Sequence, residues 1–231
     1  MKNNNKVSNV DKKIIEEIEL GTFQTRNWKT YFKLTPYKVS ILGVIVALNI
    51  LLSLISVYAL APFTMAGFLR VEISFLTYLI AWKLVNGFYA LLIITPTTWL
   101  RYAGIDPNAE PIGMTSMNLS DLFALATFIG LSFIFQLKND EVGKMKFHIK
   151  FIFVAILVSL LTGVWNIFLN FSFILDLYST YFGVEAIQNL KNWAFAGLLI
   201  FFNLIKYVVN FWLFLTFYET IKIIYKKRVF S

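Results

Sequence analysis

Asn203, Lys206 and Asn210 interrupt an otherwise apolar run, "NWAFAGLLIFFNLIKYVVNFWLFLTFYETIKIIYKK" (192–227), and their spacing of i, i+3 and i+7 puts them on one helical face. Two amides and an ammonium on one stripe offer directed hydrogen bonds and a positive charge to whatever faces them. At ~1.5 Å per residue, Lys206 lies several turns from either end of the run, too deep for its stem to carry the charge to an interface. Turned toward lipid it would cost about 2.5–3.5 kcal/mol on insertion scales. The stripe is therefore expected to face inward, toward a partner group or a watery cavity. Two readings stand. The stripe either glues helices by interhelical hydrogen bonds, or it binds a solute. Glu219 lies more than about three turns away, so the lysine is expected to have no carboxylate at its own depth, which favours binding.

A second constellation complements the first. In "GVWNIFLNFSFILDLY", Asn166 and Asn170 are four residues apart and share a face near the outer end of their segment. These amides are either satisfied between helices or converge with the first stripe on an outward-facing pocket. Trp165, Phe171 and Trp193 are candidates for its flat apolar walls. Amides, an ammonium and aromatic walls suit a planar, hydrogen-bonding solute better than a bare ion. Gly43 and Ala47, four apart in "SILGVIVALNI", form a different feature, a small-residue patch that allows close helix approach. It serves either packing within this chain or docking of another subunit.

The elements that must position these residues are membrane helices. With 58% hydrophobic and 18% aromatic residues, the chain has more apolar surface than a soluble domain of this size could bury. Apolar segments are expected at 39–60, 71–82, 86–101, 113–137, 147–175 and 193–224, several of them exceeding the roughly 18 residues that mark a span. The second and third are short, and Asn86-Gly87 signals a turn between them. The fold class expected is an all-α integral membrane protein, a six-transmembrane-helix bundle with both termini cytoplasmic. Residues 1–37 form a cytoplasmic N-terminal tail, 38–226 the transmembrane substrate-binding domain, and 227–231 a cytoplasmic end. No cleavable signal peptide is expected in the polar, lysine-rich tail; its "DKKIIEEIEL" stretch is either an amphipathic surface helix or a partly ordered segment.

Charge fixes the orientation. All of the 21 Lys and Arg residues except Arg70, Arg101, Lys191 and Lys206 fall in segments that this topology places inside, as the positive-inside rule requires. The net charge of +8 is thus a topology signal, and nucleic acid is not an expected partner. The segments 61–74, 102–113 and 176–192 are expected to face outside, where a lid or binding mouth would be built.

Other chemistry finds no support. The sequence has no cysteine, hence no thiolate site or disulfide, and no G-x-x-x-x-G-K-[ST] loop, so the chain does not hydrolyse a nucleotide by that route. Its one histidine, His148, stands among Lys144, Lys146 and Lys150 at a helix start. The intramembrane acids are scattered, and no metal or catalytic residue is proposed.

The residues also resemble a known family. "FNLIK" (202–206) together with "NFSFILDLY" (170–178) is similar to the riboflavin-specific S component of energy-coupling factor transporters. That family shows P-F-N-L-x-K in its last helix and an Asn followed eight residues later by Tyr near the end of the fifth. Asn203 and Lys206 match the first pattern, Asn170 and Tyr178 the second. "FLRVEISFLTYLIA" resembles the family's F-L-K-I-D-F-S segment, with Arg70 and Glu72 in its basic and acidic places, and "PIGMTSMNLSDLFA" falls where the fourth helix opens. Phe201 and Asp176 stand where the family has proline, and Asn118 is offset by one position without the family's glutamate. The resemblance covers about 39–226. It implies a non-enzymatic, substrate-binding subunit in a bacterial cell membrane. The subunit would capture riboflavin from outside and dock, through Gly43 and Ala47, on a transmembrane coupling protein that carries two cytoplasmic ATPases. Ligand contacts would come from Asn170, Asn203 and Lys206, with riboflavin as transported ligand, not cofactor, and the first outer loop as a lid; Tyr178 and Asn118, from the matched segments, and Asn210, from the stripe, complete the candidate ligand-binding set. Alternatives are the same kind of subunit for another vitamin or a phosphorylated flavin, a membrane-embedded enzyme, and a non-transporting membrane protein.

Overall fold

The computed structural model describes residues 31–65, 69–103, 109–137, 144–183 and 185–229. The chain divides into two units, 1–36 and 37–231, and the architecture below is that of the second. The "DKKIIEEIEL" stretch and most of the expected tail lie outside the described residues, as do 66–68 of the first outer loop and 104–108 of the second.

The described residues are helical throughout, apart from short connections and an isolated bridge. Four helices are long and apolar enough to cross a membrane: Pro36–Tyr58, Pro111–Ile134, Lys146–Tyr181 and Trp193–Ile224. They correspond to α1 (Pro36–Tyr58), α5 (Pro111–Ile134), the continuous pair α6 (Lys144–Leu169) and α7 (Leu175–Phe182), and α8 (Trp193–Val229). Proline opens both α1 and α5, where its missing N–H costs nothing and its fixed φ suits a helix start.

The two central segments take another form. The region 71–102 builds three short helices, α2 (Leu76–Leu84), α3 (Gly87–Leu92) and α4 (Ile94–Tyr102). Each is too short to cross the roughly 30 Å hydrocarbon core alone. Their breaks have local causes. Asn86 ends the first piece and caps the next, its side chain accepting the Tyr89 N–H at 2.9 Å. Pro96 cannot bond the Leu92 carbonyl and its ring crowds it, which separates α3 from α4. The short pieces are sheltered by the long ones: of α2, all but Ile80 is buried.

Between α6 and α7 the helix widens into a π turn at Asn170–Ile174. Such a turn admits one extra residue and rotates the side chains that follow. Gly183, at φ 64, then ends α7 in the left-handed conformation that glycine adopts without strain. α6 and α8 cross closely: a Cβ at Gly163 would stand 3.0 Å from the Ile200 Cα.

Along α8 the environment changes. From Tyr207 to Ile221 it packs in an aromatic core with Trp82 of α2, Phe128 of α5 and Phe151 of α6. Trp82 meets Phe128 edge-on at 4.8 Å, and Phe151 stacks on Phe214 at 5.4 Å. Among lipid tails apolar burial alone does not drive helices together, so close packing and buried polar bonds decide which faces turn inward. Just before Tyr207, Asn203 and Lys206 interrupt that apolar packing with a buried polar face.

Candidate functional site

That polar face borders a cavity of 560 Å³, within the range of small-molecule sites. A strap and four helices build it. The strap leading into α2 supplies Arg70 and Glu72, and α5 with its N-cap supplies Glu110, Ser116 and Ser120. Asn166 and Asn170 come from α6 and the π turn, Tyr178 from α7, and Phe202, Asn203 and Lys206 from α8. Gly113 leaves the space that the Tyr178 hydroxyl fills, only 3.2 Å from where a Cβ would stand.

The amides form a chain. The Ser120 hydroxyl donates to the Asn166 side-chain oxygen, and the Asn166 amide donates to Asn203 Oδ1 at 2.7 Å. Asn203 in turn donates to the Leu199 carbonyl, and Asn170 to the Asn166 carbonyl. These bonds tie α5, α6 and α8 together at the cavity wall, so the same amides both join helices and line the hollow.

Lys206 is 5% exposed, and its ammonium meets Asp121 of α5 at 2.8 Å. The same carboxylate oxygen accepts the Tyr207 hydroxyl at 2.8 Å. The expectation of a lysine without a carboxylate at its depth is therefore corrected. Residue counts along one helix could not reveal a partner on another. The signal available was Asp121 itself, a lone acid deep in the apolar part of "NLSDLFALATFIG". Because α5 and α8 both begin at the cavity end, their counts from that end compare directly: about 15 Å for Asp121 and about 20 Å for Lys206.

A second buried ion pair holds Glu72, also a lining residue. Arg101, expected on an outside loop, closes α4 and is 2% exposed. It bonds Glu72 at 2.5 Å, the Ser74 hydroxyl at 2.6 Å and Asn49 Oδ1 of α1 at 3.0 Å. Removing one partner of such a pair leaves a buried charge uncompensated, a loss of about 3–5 kcal/mol. Asn49, Arg101 and Asp121 were not singled out from sequence. Asn49 and Arg101 have only hydroxyls on their stripes, Ser53 and Ser56, Thr97 and Thr98, which can bond their own helix and so mark no inward face, and Asp121 is the lone acid of its helix.

The structure thus brings Asn170, Tyr178, Asn203 and Lys206 to one cavity, with Asn166 beside them. Asn118 and Asn210 do not line it. Asn118 faces α4, where its oxygen accepts the Thr95 hydroxyl at 3.3 Å. Asn210, fully buried, fastens the strap: it accepts the Leu76 N–H at 2.8 Å and donates to the Glu72 carbonyl at 2.6 Å. The aromatic walls also differ from expectation. Trp165 stacks on Phe123 at 4.8 Å, Phe171 packs against the cluster of Leu175, Phe195 and Leu199, and Trp193 is 91% exposed. The rings at the cavity are Tyr178 and Phe202.

Gly43 and Ala47 lie on the exposed face of α1, with no described atom within 4 Å of a Cβ built at Gly43. Packing within this chain does not use that patch among the described residues. No group of three His, Cys, Asp or Glu suited to a metal exists among the described residues. No protein-family model matches the chain, and no curated protein matches it.

Proposed function

We propose that the chain is the substrate-binding membrane subunit of an ATP-driven energy-coupling factor importer, and that it captures riboflavin from outside the cell. One observation carries the reading. Residues scattered over the π turn, α7 and α8, the ones on which the resemblance rests, border a single cavity of vitamin size: Asn170, Tyr178, Asn203 and Lys206. The amides and the phenol would hydrogen-bond the flavin edge or its ribityl hydroxyls, and Phe202 would contribute apolar contact. The strap carrying Arg70 and Glu72 would continue into a lid over the mouth.

The six-segment topology, with both termini cytoplasmic in a bacterial membrane, belongs to this proposal. α2 and the α3–α4 pair act as the two short central crossings, sheltered by the long helices. The exposed small-residue face of α1 is the docking surface for the transmembrane coupling subunit, and the two ATPases are partners of that complex. With Tyr178 and Phe202 as the rings at the cavity among the described residues, the same kind of subunit for a less aromatic vitamin is the second reading.

Purified protein equilibrated with riboflavin in detergent tests the assignment. Co-elution of stoichiometric flavin absorbance at micromolar riboflavin is expected, with strong loss in Asn203→Ala. Absence of flavin binding in the wild type removes the vitamin assignment.

A further inference from the structure

We infer that the cavity selects a solute without net charge, and that Asp121 sets this selectivity by neutralising Lys206. The inference rests on the reading that this cavity is where the solute binds.

Among the described residues the wall is balanced. Arg70 and Lys206 contribute the cations, Glu72 and Glu110 the anions, although the chain as a whole carries +8. Behind the wall, Asp121 answers Lys206 and Arg101 answers Glu72, each at ion-pair distance. An exposed ammonium in an outward-facing hollow would attract phosphate or carboxylate strongly, because little water screens it there. Here the nearest position for such an anion is taken. Asp121 is fully buried and its carboxylate is fixed by the Tyr207 hydroxyl as well as by Lys206. An anionic solute would have to share the ammonium with a carboxylate held through Oδ1 by two hydrogen bonds, and like charges at that distance repel. A cationic solute would likewise find Glu72 already paired with Arg101. A solute that uses hydrogen bonds alone meets neither penalty. In the flavin series this favours the uncharged vitamin over its 5′-phosphate.

The test uses the full chain in detergent. Wild type, Asp121→Asn, Asp121→Asn/Lys206→Met and Glu110→Gln are titrated with inorganic phosphate against chloride at matched ionic strength, with thermal stability as the readout. Riboflavin and riboflavin 5′-phosphate are then compared on the same proteins. Wild type is expected to show no phosphate stabilisation beyond chloride. Asp121→Asn should gain phosphate affinity by roughly tenfold or more, shift its flavin preference toward the phosphorylated form, and lose both gains in the double variant. A merely structural role for Asp121 would lower stability without any phosphate dependence. Glu110 is exposed at the mouth, so Glu110→Gln folds and reads the same balance with a smaller gain should Asp121→Asn misfold. Phosphate stabilisation of the wild type, no gain in these variants, or a gain that survives in the double variant overturns the inference. If the phosphate pattern holds while neither flavin binds, the vitamin assignment fails and the charge selection stands.

Discussion

Replacing Asn210 with alanine should unfasten the strap that carries Glu72. The side chain is fully buried and joins the Leu76 N–H at the start of α2, at 2.8 Å, to the Glu72 carbonyl of the strap, at 2.6 Å. A buried backbone group left without a partner costs about 1–3 kcal/mol, so two would cost roughly 2–6 kcal/mol. Two facts lower that figure. Leu76 N–H keeps a long contact to the Ile73 carbonyl at 3.4 Å. Polar bonds inside membrane proteins also measure only about 0.6 kcal/mol on average, because the unfolded chain in lipid finds other partners. A strap carbonyl has no helical neighbour to fall back on, which keeps the loss above that mean. About 2–3 kcal/mol is expected for Asn210→Ala. Reversible unfolding in mixed micelles of rising denaturing-detergent fraction measures it. Asn210→Asp should do no better, since it keeps the acceptor for Leu76, loses the donor for Glu72 and buries a charge. A loss below about 0.5 kcal/mol in Asn210→Ala would refute the strap argument, because one ordinary surface substitution costs as much.

The buried pairs, the helix crossing and the outer face of α1 give further tests. Lys206→Met alone strands the Asp121 carboxylate and should cost about 3–5 kcal/mol, while Lys206→Met/Asp121→Leu should recover most of it; equal stability of the two variants by the same unfolding assay contradicts the pairing. Gly163→Ala places a methyl 3.0 Å from the Ile200 Cα, so about 1–3 kcal/mol of stability is expected to go as α6 and α8 are pushed apart, and a melting temperature equal to wild type would contradict that crossing. Gly43→Leu projects into open space and should leave stability and riboflavin capture intact while abolishing association with the coupling subunit; co-purification of that subunit at normal yield would refute the docking role.

Composition and patterning by themselves determined the helical class and its long apolar elements. Apolar runs of span length have few other stable forms in lipid, where every backbone group must be bonded within its own segment. Periodicity also told which face of α8 turns inward, since a stripe of Asn203, Lys206 and Asn210 is intolerable against acyl chains. It could not tell what the stripe meets. Asn210 lies one turn beyond Lys206 on the same face, yet one meets a strap and the other a cavity, because α2 happens to begin at the depth of Asn210. Local spacing likewise could not reveal that Trp165 would spend its ring on Phe123. The partners of the two buried ion pairs, Asp121 for Lys206 and Arg101 for Glu72, are 85 and 29 residues distant in the chain. Such pairings are decided only when helices dock, for a charge in a low-dielectric interior is settled by whichever neighbour the fold delivers within a few ångströms.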